Sequence, residues 1–390
     1  MDAKISKFVE IFNDMQEFRQ EWKIRHKLVD IIFISVVATV AGCDTWEEIQ
    51  WFAKEKKSWF KKYIELPYGI PSHDTMERVF AWIEPGCFAE KFSEWMRIAL
   101  SSGSMKDLEQ WNSKGVIAID GKTMRRTKDV AGDREPLHVV NAWFSQTGMV
   151  LGQVTTDVKS NEIKAIPELL DILDITGHIV TIDAMGTQYA IADKIVKANG
   201  NYVLALKGNQ GDLEDSVKTF FKYELTEQGI KEYEIQHIQK KEKGHGRIET
   251  RDYHVTDKID WLDLDDKWSS IKSIGMVKSK AESTSNGKIT IENRYFISSL
   301  SAEVHRFAYA VRQHWGVESM HWSLDMTFNE DGRRSRKNNS AKNLAQLLRI
   351  SYNIVKKGKG CQKGSLKLQR KKAMMNEEYL EQLITGMFEE

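Results

Sequence analysis

The sequence has little cysteine and no long uninterrupted apolar run. Its three cysteines, Cys43, Cys87 and Cys361, are far apart and odd in number, which argues against a disulfide framework or a zinc site and for a reducing compartment. The first residues, MDAKISKFVEIFNDMQ, are polar and mixed in charge, so no secretory signal is expected. The longest apolar run, residues 28–41, contains Asp30 and has the length of a buried core helix, not of a membrane span. We therefore expect a cytoplasmic protein with no membrane partner.

The sequence also lacks a large net charge, but its charges are unevenly distributed. The net charge is only +1, yet residues 332–372 contain fourteen Lys or Arg and no Asp or Glu. The rest of the chain is acidic, with 43 basic against 56 acidic residues. This asymmetry favours a polyanionic partner, although a solvated basic tail would give the same pattern.

The first hundred residues have helical periodicity. Thr45 and Glu48 form a capping-box pattern ahead of apolar residues at helical spacing. A second helix is predicted to start at Ser72 or Asp74 and to end before Pro85-Gly86. Residues 1–100 are therefore expected to form a small helical domain, which could bind DNA or serve in packing or dimerisation.

From about residue 115 the periodicity changes to that of an α/β region. The predicted order is β-β-β-α-β-α-β, a mixed sheet with covering helices. A charged region with strand-like alternation follows as an insertion, and a long helix is predicted from Glu303 to about Phe328. The predicted strands are Val116–Asp120, His138–Ser145, Met149–Thr156, His178–Asp183 and Tyr202–Leu206, and the helices between them are Glu162–Leu173, with Pro167 in its first turn, and Gln188–Ala198.

Two apolar strands end on a carboxylate. GVIAIDGKTMRR places Asp120 at the end of the first strand, and GHIVTIDAMGTQ places Asp183 at the end of the fourth. Two carboxylates that meet above one sheet edge repel each other unless a cation lies between them. Their hard oxygen ligands suit Mg²⁺ or Mn²⁺. The late helix offers Glu318 and Asp325 as a third acid.

Several ordered motifs resemble a known family. AIDGKTMRR, TIDAMGTQ and YAVRQHWGVESMHWSLDMTFNED are similar to motifs of the DDE transposases of bacterial insertion sequences, specifically the ISAs1 group of the IS4-like clan. GIPSHDTMERVF, GHGRIETR and NLAQLLRISYNIV extend the resemblance over nearly the whole chain. It implies a helical transposase-associated domain at residues 1–100 and an RNase H-like mixed-sheet core. The core would comprise residues 113–210 and 299–358, with a β-rich insertion at 211–298 and a basic or polar tail at 359–390.

The resemblance also implies a site and a reaction. Asp120, Asp183 and Glu318 would bind metal, as two Mg²⁺ or Mn²⁺ ions, for cleavage and strand transfer of DNA. The partners would be double-stranded DNA, as terminal inverted repeats and target, and a second copy of the chain, in the bacterial cytoplasm at the nucleoid. Tyr309 and Arg312 match the clan's pattern, but five residues separate Arg312 from the glutamate, and Asp325 stands where the pattern has lysine.

Basic residues near these motifs are candidates for DNA contacts, with solvated surface charge as the alternative. A transposase-derived protein that has lost catalysis and only binds DNA remains the second functional reading. A di-iron site is disfavoured, because Glu234-x-x-His237 lies in a strand-like stretch and not on a long helix. The candidate DNA-binding residues are Lys122, Arg125, Arg126, Lys207, Arg247, Arg251, Tyr309, Arg312, Arg333, Arg334 and Arg336.

Overall fold

The structure is a computed structural model that describes residues 3–101, 115–128, 135–156, 162–208, 210–244, 246–359 and 364–388. Cys361 lies outside these residues, and Cys43 and Cys87 are free thiols. The chain divides into two compact units, which we describe separately. Unit 1 comprises Met1–Met105, Gly121–Asn161 and Glu318–Glu390, and unit 2 comprises Lys106–Asp120 and Glu162–Val317.

Helices and strands follow the expected order along the chain. The helices are α1 (Ala3–Asn13), α2 (Leu28–Val40), α3 (Trp46–Glu55), α4 (Lys57–Phe60), α5 (His73–Trp82), α6 (Pro85–Ser101), α7 (Glu162–Asp171), α8 (Tyr189–Lys197), α9 (Gly211–Tyr223), α10 (Glu227–Glu232), α11 (Val304–His314), α12 (Gly316–Phe328), α13 (Ser340–Lys359), α14 (Leu366–Met375) and α15 (Glu377–Thr385). The strands are β1 (Val116–Thr123), β2 (His138–Phe144), β3 (Met149–Thr156), β4 (Ile179–Ile182), β5 (Asn201–Leu206), β6 (Gln236–Gly244), β7 (Arg247–Thr256), β8 (Ser273–Ser283) and β9 (Ile289–Ser298).

Helix α2 is the buried core helix that its apolar run predicts. All of its residues are buried, including Asp30, whose pKa is raised to about 6 by burial. Thr45 and Glu48 form the expected capping box, and Ser72 caps α5. Within the described ranges, none of the helices combines the length and the apolar character that a membrane crossing requires.

The C-terminal segment, expected as a tail, instead forms α14 and α15. Tyr379, Leu380, Leu383 and Ile384 recur at helical spacing and are buried, which explains why this segment folds. Helix α13 packs against α2, α5 and α6. Within unit 1 the N-terminal helices therefore share a core with the C-terminal helices.

In the described residues the strands form one mixed sheet, in the order β3-β2-β1-β4-β5-β9-β8-β7-β6. Strands β1, β4 and β5 are parallel neighbours, and β2-β3 is the expected hairpin. The strands of the expected insertion are antiparallel and join the core sheet, because β9 pairs with β5. The predicted mixed α/β fold with N-terminal helices is confirmed, and the insertion is continuous with the core sheet.

Two local predictions were wrong. The single long helix is α11 followed by α12, with Trp315 between them and Gly316, a poor helix former, at the start of α12. The N–H of Trp315 bonds to the carbonyl of Gln313 and not to one four residues back. Pro167 is the sixth residue of α7, beyond its first turn.

Candidate active site

Asp120 lies in β1, and Asp183 directly follows β4, the parallel strand next to β1. Ile119 of β1 is in register with Ile182 of β4, and each aspartate is the next residue. Neighbouring strands lie about 4.8 Å apart, and residues in register face the same side of a sheet. The apolar residues before them are buried, whereas both aspartates are half-buried. The structure therefore brings the two carboxylates together at one sheet edge in unit 2.

The turn after β4 holds Asp183 in place. The backbone N–H of Gly186 donates to Asp183 Oδ1 at 3.2 Å. The Thr187 hydroxyl lies 3.2 Å from the Asp183 carbonyl oxygen and donates to the carbonyl of Ala205 in β5 at 2.6 Å. A side chain at position 186 would collide with Ile182 and Ile166, so the glycine is needed for this close approach.

Glu318 lies in the first turn of α12 in unit 1 and is exposed. His321 and Asp325 share its helical face, at i+3 and i+7. Asn141 of β2 lies 3.3 Å from His321 Nε2, and Lys122 of β1 lies 2.6 Å from Asp325 Oδ1. Within unit 1, these two contacts hold this face of α12 against Asn141 and Lys122.

Two half-buried histidines, one in each unit, lie close to neighbouring polar side chains and are held in their neutral form. Burial, together with the nearby Arg349, lowers the pKa of His321 to about 3, so its ring can accept a hydrogen bond from Asn141. In unit 2, His314 at the end of α11 lies 3.0 Å from the hydroxyl of Thr181 in β4, and burial lowers its pKa to about 4.

Lys122 is the centre of a buried ionic network in unit 1. Its Nζ lies 2.6, 3.0 and 3.1 Å from carboxylate oxygens of Asp325, Glu330 and Asp331, and its side chain is 9% exposed. Burial opposes its charge, but Glu330 and Asp325 outweigh burial and raise the pKa of Lys122. We therefore withdraw Lys122 from the candidate DNA contacts, because its ammonium group is committed to three carboxylates.

The network continues through two residues that the sequence analysis missed. Glu330 is fully buried and forms an ion pair with Arg349, whose Nε donates to Asn141 Oδ1 at 2.9 Å. Burial raises the pKa of Glu330, but Arg349 and Lys122 outweigh burial and leave the pKa lowered. The available signal was Asn141 inside the apolar stretch VVNAWF and Arg349, the one charged residue of NLAQLLRISYNIV.

The side chain of Arg333 is buried and forms an ion pair within unit 1. Its guanidinium group lies 3.1 Å from a carboxylate oxygen of Asp44. The side chain of Arg333 is 6% exposed, and Arg370 pairs with the same carboxylate. We withdraw Arg333 from the DNA contacts because it is buried.

The remaining basic candidates near these acids are exposed. Arg125 and Arg126 lie in a 3₁₀ turn after β1, and the side chain of Arg125 is 85% exposed, with Nε 3.7 Å from Asp331. Lys207 is exposed just after β5, and Arg334 and Arg336 are exposed after α12.

Arg247 and Arg251 share one sheet face, but carboxylates neutralise the positive charge of that face. Both arginines pair with Glu249. Arg251 also pairs with Glu242 at 2.9 Å, and Arg312 of α11 lies 3.4 Å from the same carboxylate. Tyr309 is half-buried and packs against the hydrophobic core of unit 2. We retain none of these four residues as proposed DNA contacts.

The paired aspartates fit a divalent metal ion. Two carboxylates side by side supply the oxygen ligands that Mg²⁺ takes from a protein. Their mutual repulsion also favours a cation between them. Among the described residues, no group of three or more His, Cys, Asp or Glu is arranged to hold a metal ion. The structure therefore shows two adjacent aspartates, whereas a metal site made of these aspartates and a third acid remains a prediction.

Adjacent carboxylates can hold the divalent metal ions that assist phosphoryl transfer. Residues 111–354 match the family described as "Transposase DDE domain", and residues 9–96 match the family "DDE_Tnp_1-associated". The chain therefore belongs to the DDE transposase family.

Two bacterial relatives that match nearly the whole chain are also named as transposases. The "H repeat-associated putative transposase YhhI" of Escherichia coli K12 is 39% identical over 98% of this chain and 99% of its own length. The "Putative transposase YncI" of Escherichia coli O157:H7 is 37% identical over 99% and 96%. A cryo-EM structure of the piggyBac transposase synaptic complex with hairpin DNA matches 100% of this chain and 79% of that chain, with 12% identity and a TM-score of 0.43.

Proposed function

We propose that this protein is a metal-dependent transposase of the ISAs1 group, with an RNase H-like core, that cleaves DNA at the ends of an insertion sequence and transfers the strands to target DNA. The observation that carries the proposal is the in-register pair Asp120 and Asp183, located within the matched transposase domain. The substrates are the terminal inverted repeats and target DNA, and the protein acts on them as a homodimer in the bacterial cytoplasm.

Asp120 and Asp183 hold the metal, and Glu318 is the third ligand. Two contacts support Glu318 over Asp325: Asp325 is bound to Lys122, and His321 next to it on the same face is bound to Asn141. The exposed acid of that face is Glu318. Two Mg²⁺ or Mn²⁺ ions, when bound, supply activation of the attacking oxygen and stabilisation of the leaving oxygen.

The chain's own groups then hold and orient the DNA. Arg125 and Arg126 follow the strand that carries Asp120 by a few residues, and Lys207 follows the strand next to the one that ends before Asp183. Their exposed charges suit phosphate oxygens, which fix the register of DNA without reading its sequence. Arg334 and Arg336 are exposed contacts of the same kind.

The test uses an end-labelled duplex that carries the DNA flanking the reading frame, incubated with and without Mg²⁺. We expect cleavage only with Mg²⁺. Asp120→Asn and Asp183→Asn should each lose more than about a hundredfold in cleavage rate while they keep DNA binding. Asp171→Asn is the matched control, because Asp171 is an exposed carboxylate of the same unit that pairs with Lys194.

Two results would contradict the proposal. Cleavage near the wild-type rate by either Asp120→Asn or Asp183→Asn would show that these residues do not form the metal site. Tight DNA binding by the unaltered protein, without cleavage in Mg²⁺ or Mn²⁺, would establish the alternative, a transposase-derived protein that only binds DNA.

A further inference from the structure

The strands β6, β7 and β8 have two faces of different character. In an antiparallel sheet, paired residues share a face, and successive residues alternate between faces. Lys240 pairs with Arg251 and Glu242 pairs with Glu249, which places these residues together on one face. We call this the ionic face, because Glu242 and Glu249 neutralise the arginines on it.

The opposite face carries Lys241, Lys243, Lys278 and Lys280, and we call it the lysine face. Lys241 and Lys280 lie in one row, on either side of Thr250. Lys278 and Lys243 lie in the rows on either side of that one. All four side chains belong to exposed residues.

The lysine face keeps its positive charge. The ion pairs found among the described residues of β6–β9 join Glu242, Glu249 and Glu292 to arginines and His237 to Asp252, and none of them includes a lysine of this face. Asp252 shares the lysine face, but it also accepts a hydrogen bond from Gln239 at 2.8 Å. The second acidic residue of the lysine face is Glu282, which is the neighbour of Ile248 in the row that also contains Lys243.

The spacing of the lysines suits a regular polyanion. Strands about 4.8 Å apart place Lys241 and Lys280, two strands apart, about 10 Å from each other. Lys278 and Lys243 are separated by about four residues along the strand direction, or about 13 Å. DNA carries one phosphate per about 3.4 Å of axis on each strand, so this area spans several phosphates.

We propose that the lysine face binds the phosphate backbone of double-stranded DNA, outside the acidic edge of the sheet and without reading the base sequence. This inference rests on the proposed function for its choice of DNA as the polyanion. It reverses the expectation for this part of the chain, because the arginines of the GHGRIETR motif lie on the neutralised face.

The experiment measures how DNA affinity depends on salt. The test variant replaces Lys241, Lys243, Lys278 and Lys280 by glutamine. The control variant replaces four lysines of the same unit that already pair with carboxylates: Lys194, Lys197, Lys258 and Lys267. A double variant, Lys278→Gln with Lys280→Gln, covers the case in which the quadruple variant does not fold.

Each lost phosphate contact lowers the slope of log affinity against log salt by about 0.9. We expect a slope lower by up to about 3.6 in the quadruple variant, lower by up to about 1.8 in the double variant, and unchanged in the control. Arginine at the same positions should restore the slope. An unchanged slope in a folded double variant, or an equal loss in the control, would overturn the inference.

The same proteins separate this inference from the proposed function. Mg²⁺-dependent cleavage by the unaltered protein, together with an unchanged slope in the lysine variants, would refute the lysine face alone. A lysine-dependent slope in a protein that never cleaves DNA would refute the proposed catalysis and leave the lysine face established.

Discussion

Replacing Lys122 by methionine is expected to destabilise unit 1 strongly. The substitution keeps most of the side-chain volume and removes the charge that lies within 3.1 Å of three carboxylates. Glu330 would keep Arg349 as its partner, and Asp325 and Asp331 are partly exposed, so water can solvate them.

The expected loss of unfolding free energy in Lys122→Met follows from these contacts. Removing one partner of a buried ion pair costs about 3–5 kcal/mol. Because Glu330 remains paired with Arg349, we expect the lower end, about 3 kcal/mol. For a folding unit of about 150–250 residues, each kcal/mol lowers the melting temperature by about 2–4 °C, so the expected decrease is about 6–12 °C.

The assay is thermal unfolding followed by circular dichroism, with Lys128→Met as the matched control. Lys128 lies 3.4 Å from Glu135, and both side chains are about half exposed, so its loss should cost less than about 1 kcal/mol. In the double variant Lys122→Met with Asp325→Asn, the loss of a repelling carboxylate should recover about 1 kcal/mol. The reasoning is refuted if Lys122→Met melts within 2 °C of the control, or if Asp325→Asn brings no recovery.

Three further outcomes are expected. Glu318→Gln should lose Mg²⁺-dependent cleavage while Asp325→Asn keeps most of it, and the reverse result would reassign the third ligand. The pKa of Glu330 is lowered by its two cationic neighbours in spite of burial, so its stabilisation exists above the unfolded value and is lost as pH falls through the folded one. The difference in melting temperature between wild type and Glu330→Gln should therefore be largest near pH 7 and shrink below about pH 4, and a difference independent of pH would contradict this. Arg333→Gln should lower the melting temperature, whereas Arg334→Gln should weaken DNA binding without that loss, and equal effects on both measurements would show that the two arginines do not differ in role.

The sequence was sufficient to predict the paired aspartates, because the information is local. Each aspartate follows a short buried apolar run, although β1 continues past Asp120 to Thr123. A helix between two strands favours a parallel crossover in the same sheet. The hairpin β2-β3 was equally accessible from its short turn. Neither inference requires knowledge of distant residues.

The roles of the charged residues could not be predicted, because their partners are distant. Lys122 pairs with Asp331, which lies 209 residues further along the chain. Arg333 is buried against Asp44, on the other side of the whole α/β region in sequence. The positive charge of Lys122 and Arg333 therefore suggested DNA contacts, because the sequence does not show the carboxylates that folding brings next to them.

The pairing of β9 with β5 could not be predicted either, because the two strands are distant in sequence. Alternation in β6–β9 predicts strands and their faces, but it does not predict which strand edge they join. The strand register places the arginines of β7 on the same face as Glu242 and Glu249. It places the lysines of the lysine face, in β6 and β8, on the opposite face.

The central claim, that Asp120 and Asp183 hold one divalent metal site, can be tested without DNA. Fe²⁺ bound in place of Mg²⁺, with ascorbate and peroxide, generates hydroxyl radicals that cut the polypeptide next to the metal. We expect cuts next to Asp120 within β1 and next to Asp183 just after β4, suppressed by excess Mg²⁺ and absent in Asp183→Asn. Cuts at other positions only, or unchanged cuts in Asp183→Asn, would contradict the account.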